Sequence, residues 1–134
     1  MSDTEIIVCT TCRPPGASRE LPAAGLALFE AVQDALLECE LDTGEHKGLQ
    51  VRGLACMSGC ARACTVTLQA HGKYTYYFGD LTSDTETASQ VIVCAQQHLQ
   101  SADGNLARNA RPERLRSGIL ARLPPLGQSG PGST

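Results

Sequence analysis

The chain has 134 residues and a mass of 14.1 kDa, which is enough for one domain and excludes a multidomain enzyme or a large barrel. Apolar residues make up 42% of it but aromatic residues only 4%, so the expected core is aliphatic. The net charge of −3 argues against nucleic acid as the main partner. The unusual feature is the presence of seven cysteines.

Membrane-spanning segments and a signal peptide are the sequence features that indicate the cellular compartment. No stretch approaches the 18 apolar residues that would predict a membrane-spanning helix. Residues 1–5 are acidic and lack the basic and apolar regions of a signal peptide, so we expect a cytoplasmic protein. In that reducing compartment, clustered cysteines are more often metal ligands or redox thiols than disulfides.

The first predicted elements are a strand over 5–9, a helix over 22–40 and a strand over 49–54. The first strand is a short apolar run, and the helix has apolar residues at three- and four-residue steps. Pro22 suits a first helical turn, where its missing N–H is not needed. A strand–helix–strand order predicts two parallel neighbours joined by a right-handed crossover.

The next elements are a hairpin and a second helix. Strands over 65–70 and 73–78 flank the turn residues His71 and Gly72. Ser83 and Glu86 have capping-box spacing and predict a helix that ends near Leu99. This order, β-α-β-β-β-α, predicts an α/β fold with a mixed sheet and helices packed on it.

The end of the chain differs in composition from the rest. Residues 1–102 contain six basic and twelve acidic residues, whereas residues 103–134 contain five arginines and two acidic residues. We therefore predict one domain over 1–102 and a basic, Pro- and Gly-containing tail over 103–134, with a short helix over 114–123.

Five cysteines fall into two groups, each in a loop directly after a predicted strand. If the two strands are parallel neighbours, both loops leave the same sheet edge and the groups converge. Four thiolates then surround one centre, which suits a [2Fe–2S] cluster or Zn²⁺ almost equally. The predicted ligands are Cys9, Cys12, Cys56 and Cys60, with Cys64 as an alternate.

Other interpretations of the cysteines stay open. A Cys-x-x-Cys pair after a first strand also indicates a thiol redox site, although it leaves the second group unexplained. The chain could instead hold zinc, or carry cobalt or copper, without redox turnover. Cys39 and Cys94 lie on or beside apolar helix faces and are expected in the core, whereas the three histidines are expected to be exposed.

The cysteine order resembles that of the thioredoxin-like [2Fe–2S] ferredoxins. Their pattern is one cysteine after strand 1, a second in the following loop, and Cys-x3-Cys after the next parallel strand. Cys9, Cys12, Cys56 and Cys60 fit that order. The step from Cys9 to Cys12 is shorter than in that family, so Cys64 is the substitute for Cys12.

A second resemblance extends over most of the chain and is carried by segments 9–13, 56–65, 72–76, 78–81, 111–113 and 122–126. In these segments the chain resembles a family of predicted metal-binding proteins of unknown function. This resemblance implies the ferredoxin-like fold and a link to cobalamin biosynthesis, because relatives are often encoded near such genes. Together the two resemblances imply an electron carrier rather than an enzyme. Its expected partner is a redox protein, not nucleic acid or a membrane, and a homodimer is expected by analogy.

Overall fold

The computed structural model describes residues 4–14, 16–18, 20–43, 48–57 and 60–126, with the backbone alone for residues 40–43 and Cys60. The described residues form five strands and two helices, with one-turn 3₁₀ segments in the connections. In chain order these are β1 (Thr4–Cys9), α1 (Ala24–Thr43), β2 (Leu49–Leu54), β3 (Val66–Gln69), β4 (Thr75–Phe78), α2 (Thr85–Gln100) and β5 (Ile119–Leu123).

The strands form one mixed sheet in the order β2-β1-β3-β4-β5. β1 and β2 are parallel, as predicted from the strand–helix–strand order, and their register runs from Thr4 opposite Leu49 to Cys9 opposite Leu54. The remaining neighbours are antiparallel. The predicted α/β fold with a mixed sheet is therefore confirmed.

Both helices pack on the same face of the sheet. Ile6 and Val8 of β1 point to that face, since side chains alternate along a strand, and both are fully buried. They form one cluster with side chains of α1 and α2, including Leu28 and Val32. Burying each such side chain stabilises the fold by roughly 1.5–3 kcal/mol. Neither described helix combines the length and apolar composition that a membrane crossing requires.

The fifth strand was not predicted. The expected helix over 114–123 is wrong: a 3₁₀ turn spans Glu113–Leu115, and β5 then pairs with β4. Gly118 has a φ of +81°, which ends local helical geometry, and its carbonyl accepts a 2.8 Å hydrogen bond from the Gly79 N–H. Pairing with β4, whose partner residues lie 41 to 48 positions earlier in the sequence, overrides the local helical pattern.

The segment after α2 also contributes to the core, through the buried side chains of Leu106 and Leu115. Arg111 is buried as well and lies over the ring of Tyr76, 5.9 Å from its centroid. Part of this segment is therefore packed against the sheet and α2. The division of the chain after residue 102 into a domain and a basic tail stays a prediction.

The N-cap of α2 is Asp84 rather than Ser83, so the predicted capping box is wrong by one residue. The Asp84 carboxylate accepts a 2.7 Å hydrogen bond from the Thr87 N–H. Hydrogen bonds from the Thr82 hydroxyl and from Thr87 hold the pKa of Asp84 well below its usual range. Arg114 lies over this cap and donates to the Thr82 and Thr87 hydroxyls, both at 2.9 Å.

His98 is fully buried, which contradicts the expectation that all three histidines are exposed. Its Nε2–H donates to the Tyr74 carbonyl at 2.7 Å, so its Nδ1 is the atom that accepts from the Thr4 hydroxyl at 2.8 Å. The neighbouring Lys73 ammonium donates to the carbonyls of His98 and Leu99 at the end of α2. His98 therefore fastens α2 to β1 and to the start of β4 as a neutral ring.

This arrangement predicts a loss of stability in mild acid. Burial lowers the pKa of His98 below the ordinary 6.5, and the nearby Lys73 charge lowers it further. At a pH between these two pKa values, His98 is protonated in the unfolded chain and neutral in the folded chain. Above about pH 7.5 we expect His98 to contribute no pH dependence to the free energy of unfolding. Below pH 6.5 the free energy of unfolding should fall by up to about 1.4 kcal/mol per pH unit.

Urea unfolding of the metal-free chain between pH 5 and 8 measures this effect. His98→Gln should remove the slope and lower stability at all pH values by about 1–3 kcal/mol, because it leaves buried partners unsatisfied. The control is His71→Gln, since His71 is exposed and its replacement should retain the slope. A wild-type chain equally stable at pH 5 and pH 7.5 contradicts the prediction.

Candidate metal centre

Both cysteine loops leave the same edge of the sheet, as predicted. Cys9 is the last residue of β1 and lies opposite Leu54, the last residue of β2. The Thr10 N–H donates to the Leu54 carbonyl at 3.0 Å, so the segment that follows β1 stays paired with the end of β2. The antiparallel β3 begins at this edge, and the Cys9 N–H donates to the Thr65 carbonyl at 3.2 Å. The backbone therefore brings residues 9–12, 55–57 and 63–65 to one place.

Cys9 and Cys12 form the centre of this edge. They are 1% and 2% exposed and cluster with Ala63 and Met57, and each thiol shifts the pKa of the other. Hydroxyl groups surround the pair: Cys12 Sγ lies 3.7 Å from the Thr65 Oγ1, and Cys9 Sγ lies 3.8 Å from the Thr11 Oγ1. The first cysteine pair is thus a buried, polar-lined dithiol.

The start of α1 is pressed against this dithiol loop. The Gly25 N–H donates to the Cys12 carbonyl at 3.0 Å, which satisfies one amide of the first helical turn. A Cβ at Gly25 would lie 2.0 Å from the Cys9 carbonyl oxygen and 3.1 Å from the Cys12 nitrogen. Only glycine allows the helix to approach so closely, so Gly25 helps to set the shape of the loop.

The two sulfurs have different acidities. Burial raises the pKa of Cys9, but hydrogen bonds from the Cys12 thiol and from the backbone of Thr11 and Met57 outweigh it, and the net pKa is lowered. Burial and the hydrogen bond to Cys9 raise the pKa of Cys12. The dithiol therefore stabilises one negative charge, on the Cys9 sulfur.

Cys64 lies beside this pair. It is buried directly before β3, and its backbone exchanges two 3.1 Å hydrogen bonds with Leu81. Burial raises the pKa of Cys64 to about 11, and negative charge on Cys9 adds to the shift. The Cys64 side chain packs in the main core, whereas Cys9 and Cys12 form a separate cluster with Ala63, so its part as the alternate ligand stays a prediction.

The second group is less converged. Cys56 is exposed, with a φ of +63°, and the Cys60 backbone begins a 3₁₀ turn that ends at Arg62. The Cys60 side chain lies outside the described residues. Among the side chains that the structure does describe, no three of Cys, His, Asp and Glu are placed to hold a metal ion. The ligand set Cys9, Cys12, Cys56 and Cys60 stays a prediction.

Sequence reasoning missed the contacts that hold the second cysteine loop. The Tyr77 hydroxyl on β4 donates to the Met57 carbonyl at 2.9 Å. Arg62 pairs with Asp80 through both carboxylate oxygens, with its Nε 2.9 Å from Oδ1. The spacing of cysteines gives no signal for either contact, although a tyrosine-rich strand is visible in the sequence.

The donor chemistry at this edge fits an iron–sulfur or zinc centre. Its candidate ligands are all thiols, which are soft donors that select iron–sulfur clusters and zinc over magnesium or calcium. The backbone N–H groups near Cys9 can stabilise a thiolate, whether it is free or bound to a metal. His98, which is at the far end of β1 beside Thr4, is too remote to join a mixed Cys and His set.

Comparison with known families gives the relationship directly. The family described as Protein of unknown function (DUF1636) matches residues 6–125. The chain belongs to this family. No curated protein is a detectable relative of it. The family match covers both cysteine groups and continues through β5.

Solved structures give the same answer for the fold. A thioredoxin-like [2Fe–2S] ferredoxin from Aquifex aeolicus superposes with a TM-score of 0.54 at 18% identity, over 95% of this chain and 98% of that one. A cysteine-to-serine variant of such a ferredoxin from Aquifex aeolicus gives a TM-score of 0.50 at 16% identity, over 88% and 98%. The DUF1636 chain therefore has the thioredoxin-like ferredoxin fold that the sequence predicted.

Proposed function

We propose that this DUF1636 protein is an electron carrier whose redox group is a [2Fe–2S] cluster, and that it is not an enzyme. The observation that carries the proposal is the meeting of two cysteine loops at one sheet edge, where Met57 of the second loop packs against the buried Cys9 and Cys12 of the first. The proposed ligands are Cys9, Cys12, Cys56 and Cys60, with Cys64 as the alternate.

Each part of the edge has a task in this proposal. A bound [2Fe–2S] cluster supplies a one-electron redox couple. Cys9 and Cys12 bind from the buried side, and the backbone N–H groups of Thr11 and Met57 offset negative charge at Cys9. Cys56 is exposed, so the second loop gives a partner protein access to the centre.

The comparisons support this proposal at the level of the fold, since the superposed structures are named as thioredoxin-like [2Fe–2S] ferredoxins. The sequence resemblance supports a place in cobalamin metabolism, with cobalt or a corrinoid intermediate as the final electron acceptor. The use of free thiols supports a reducing, cytoplasmic location. The proposed partner is a redox protein, and the carrier is proposed to be a homodimer.

The test is the visible absorption of anaerobically purified protein, with iron, sulfide and zinc assayed on the same sample. A brown protein with matched iron and sulfide, bleached by dithionite, is the expected result. A colourless protein that stays colourless after cluster reconstitution contradicts electron transfer. If it contains one zinc per chain, the site belongs to a structural or metal-carrying module.

A specific contact favours a second candidate, a thiol redox protein. Cys9 and Cys12 are hydrogen-bonded neighbours, so they can form a disulfide when two electrons and two protons pass to a disulfide substrate. Metal-free protein in which Cys9 and Cys12 cycle between dithiol and disulfide with glutathione supports this candidate. Protein that reduces no disulfide and holds iron and sulfide rejects it.

A further inference from the structure

Tyr77 is placed to act on the cysteine edge from a distant strand. It lies in β4, which is separated from β2 by β3 and β1. The loop after β2 must therefore fold back over the end of the sheet for the Met57 carbonyl to accept the 2.9 Å hydrogen bond from the Tyr77 hydroxyl. This contact joins the loop after β2 to a strand that is not a neighbour of β2 in the sheet.

Met57 transmits this contact to the cysteines. Its carbonyl accepts from the Tyr77 hydroxyl, and its side chain packs against the buried cluster of Cys9, Cys12 and Ala63. The Met57 backbone is also among the groups that lower the pKa of Cys9, which is consistent with an N–H on the side of that sulfur. Movement of the Met57 carbonyl would therefore move Met57 relative to the two buried sulfurs.

The other tethers of this segment act further from Cys9. The ion pair between Arg62 and Asp80 is half exposed, and such pairs contribute little because solvent screens them. The backbone bonds between Cys64 and Leu81 fix the end of the segment, next to β3. The Tyr77 hydroxyl, by contrast, contacts Met57, the residue that packs against Cys9 and Cys12.

We infer that Tyr77 is a positioning residue of the cysteine site, which holds the loop after β2 so that the Met57 N–H faces the Cys9 sulfur. Its effect on a bound metal rests on the proposed function, whereas its effect on the loop does not. Tyr77→Phe removes the hydroxyl alone and keeps the ring. The matched control is Tyr74→Phe, because Tyr74 directly precedes the same strand and has its ring under Arg122.

The first readout is amide hydrogen exchange of Met57, measured by NMR on the ¹⁵N-labelled, metal-free full chain. Loss of one half-buried hydrogen bond should make this amide exchange roughly 2- to 12-fold faster in Tyr77→Phe. Tyr74→Phe should exchange at the wild-type rate. An unchanged Met57 rate in Tyr77→Phe overturns the inference.

The second readout is made on the protein as isolated, with its metal. Release of iron or zinc to the chelator 4-(2-pyridylazo)resorcinol should be faster in Tyr77→Phe by a similar factor. If a cluster is present, its reduction potential should become more negative, because N–H donors to sulfur favour the reduced, more negative state. Faster Met57 exchange with unchanged release and potential would show a purely structural contact and overturn the role at the site.

The two proposals can fail separately. If the wild-type chain never binds iron and sulfide, the electron-carrier proposal is rejected. Tyr77 as a positioning residue is then decided by the Met57 exchange, and by zinc release if zinc is the metal. If the wild type holds a cluster and Tyr77→Phe behaves as wild type in every measurement, only the role of Tyr77 is rejected.

Discussion

Replacing Cys9 with alanine is expected to abolish cluster binding altogether. Cys9 ends β1 at the edge where both cysteine loops leave the sheet, and its side chain is buried in one cluster with Cys12 and Ala63. It is therefore the central thiol of the proposed ligand set, and the exposed Cys56 cannot replace it from the buried side. Iron, sulfide and visible absorption should fall to background in the purified variant.

The same substitution should leave the fold intact. Removing one small buried sulfur typically destabilises a core by about 1–2 kcal/mol, well below the stability of an ordinary domain. Cys39→Ala is the control, because Cys39 lies half-buried on α1 among core residues and should retain full cluster content. A Cys9→Ala protein with wild-type iron and absorption would remove Cys9 from the ligand set.

Two further variants decide the fourth ligand. Cys12 is a direct neighbour of Cys9, while Cys64 is buried on the other side, next to β3. If Cys12 is a ligand, Cys12→Ala should lose the cluster and Cys64→Ala should keep it. The reverse result would make Cys64 the fourth ligand, and Cys12 would then be a neighbouring thiol that does not bind the metal.

The sheet was predictable where the pattern is local. The apolar run of β1, the alternation of β3 and the periodicity of α2 identify their own elements, and the order of β1, α1 and β2 predicts the parallel pair. The prediction for β5 was wrong because its residues form a strand only through pairing with β4. The prediction that His98 is exposed was wrong for a similar reason, since its buried partners Thr4 and Tyr74 are distant in sequence.

The candidate site was predictable as a set of cysteines but not as a geometry. Spacing after two parallel strands is enough to place Cys9 and Cys56 at one edge. Spacing says nothing about which sulfurs are buried, and Cys12 is buried whereas Cys56 is exposed. The groups that shape the edge, such as the Met57 N–H, act through backbone atoms that every residue has, so no sequence pattern marks them.

Gly25→Ala is the substitution in which a single methyl group should disturb both the fold and the site. Its Cβ would lie 2.0 Å from the Cys9 carbonyl oxygen, far inside contact distance, and neither atom belongs to a flexible side chain. Alanine in a helix interior is favoured over glycine by about 1 kcal/mol, and by less in a first turn. Overpacking costs about 1–3 kcal/mol or more, and against backbone the upper end applies. Steric conflict should therefore outweigh helix propensity.

Relief of this clash must increase the distance between α1 and residues 9–12. Either α1 moves away from these residues, or these residues move away from α1. Either movement weakens the 3.0 Å bond from the Gly25 N–H to the Cys12 carbonyl and shifts Cys9 relative to Met57. Urea unfolding should show a lower free energy of unfolding, and the iron content should fall. Ala27→Ser, on the exposed side of the same turn, should leave both unchanged. A Gly25→Ala protein that is more stable than wild type and fully loaded would mean that propensity outweighs contact here, and that the helix does not shape the cysteine loop.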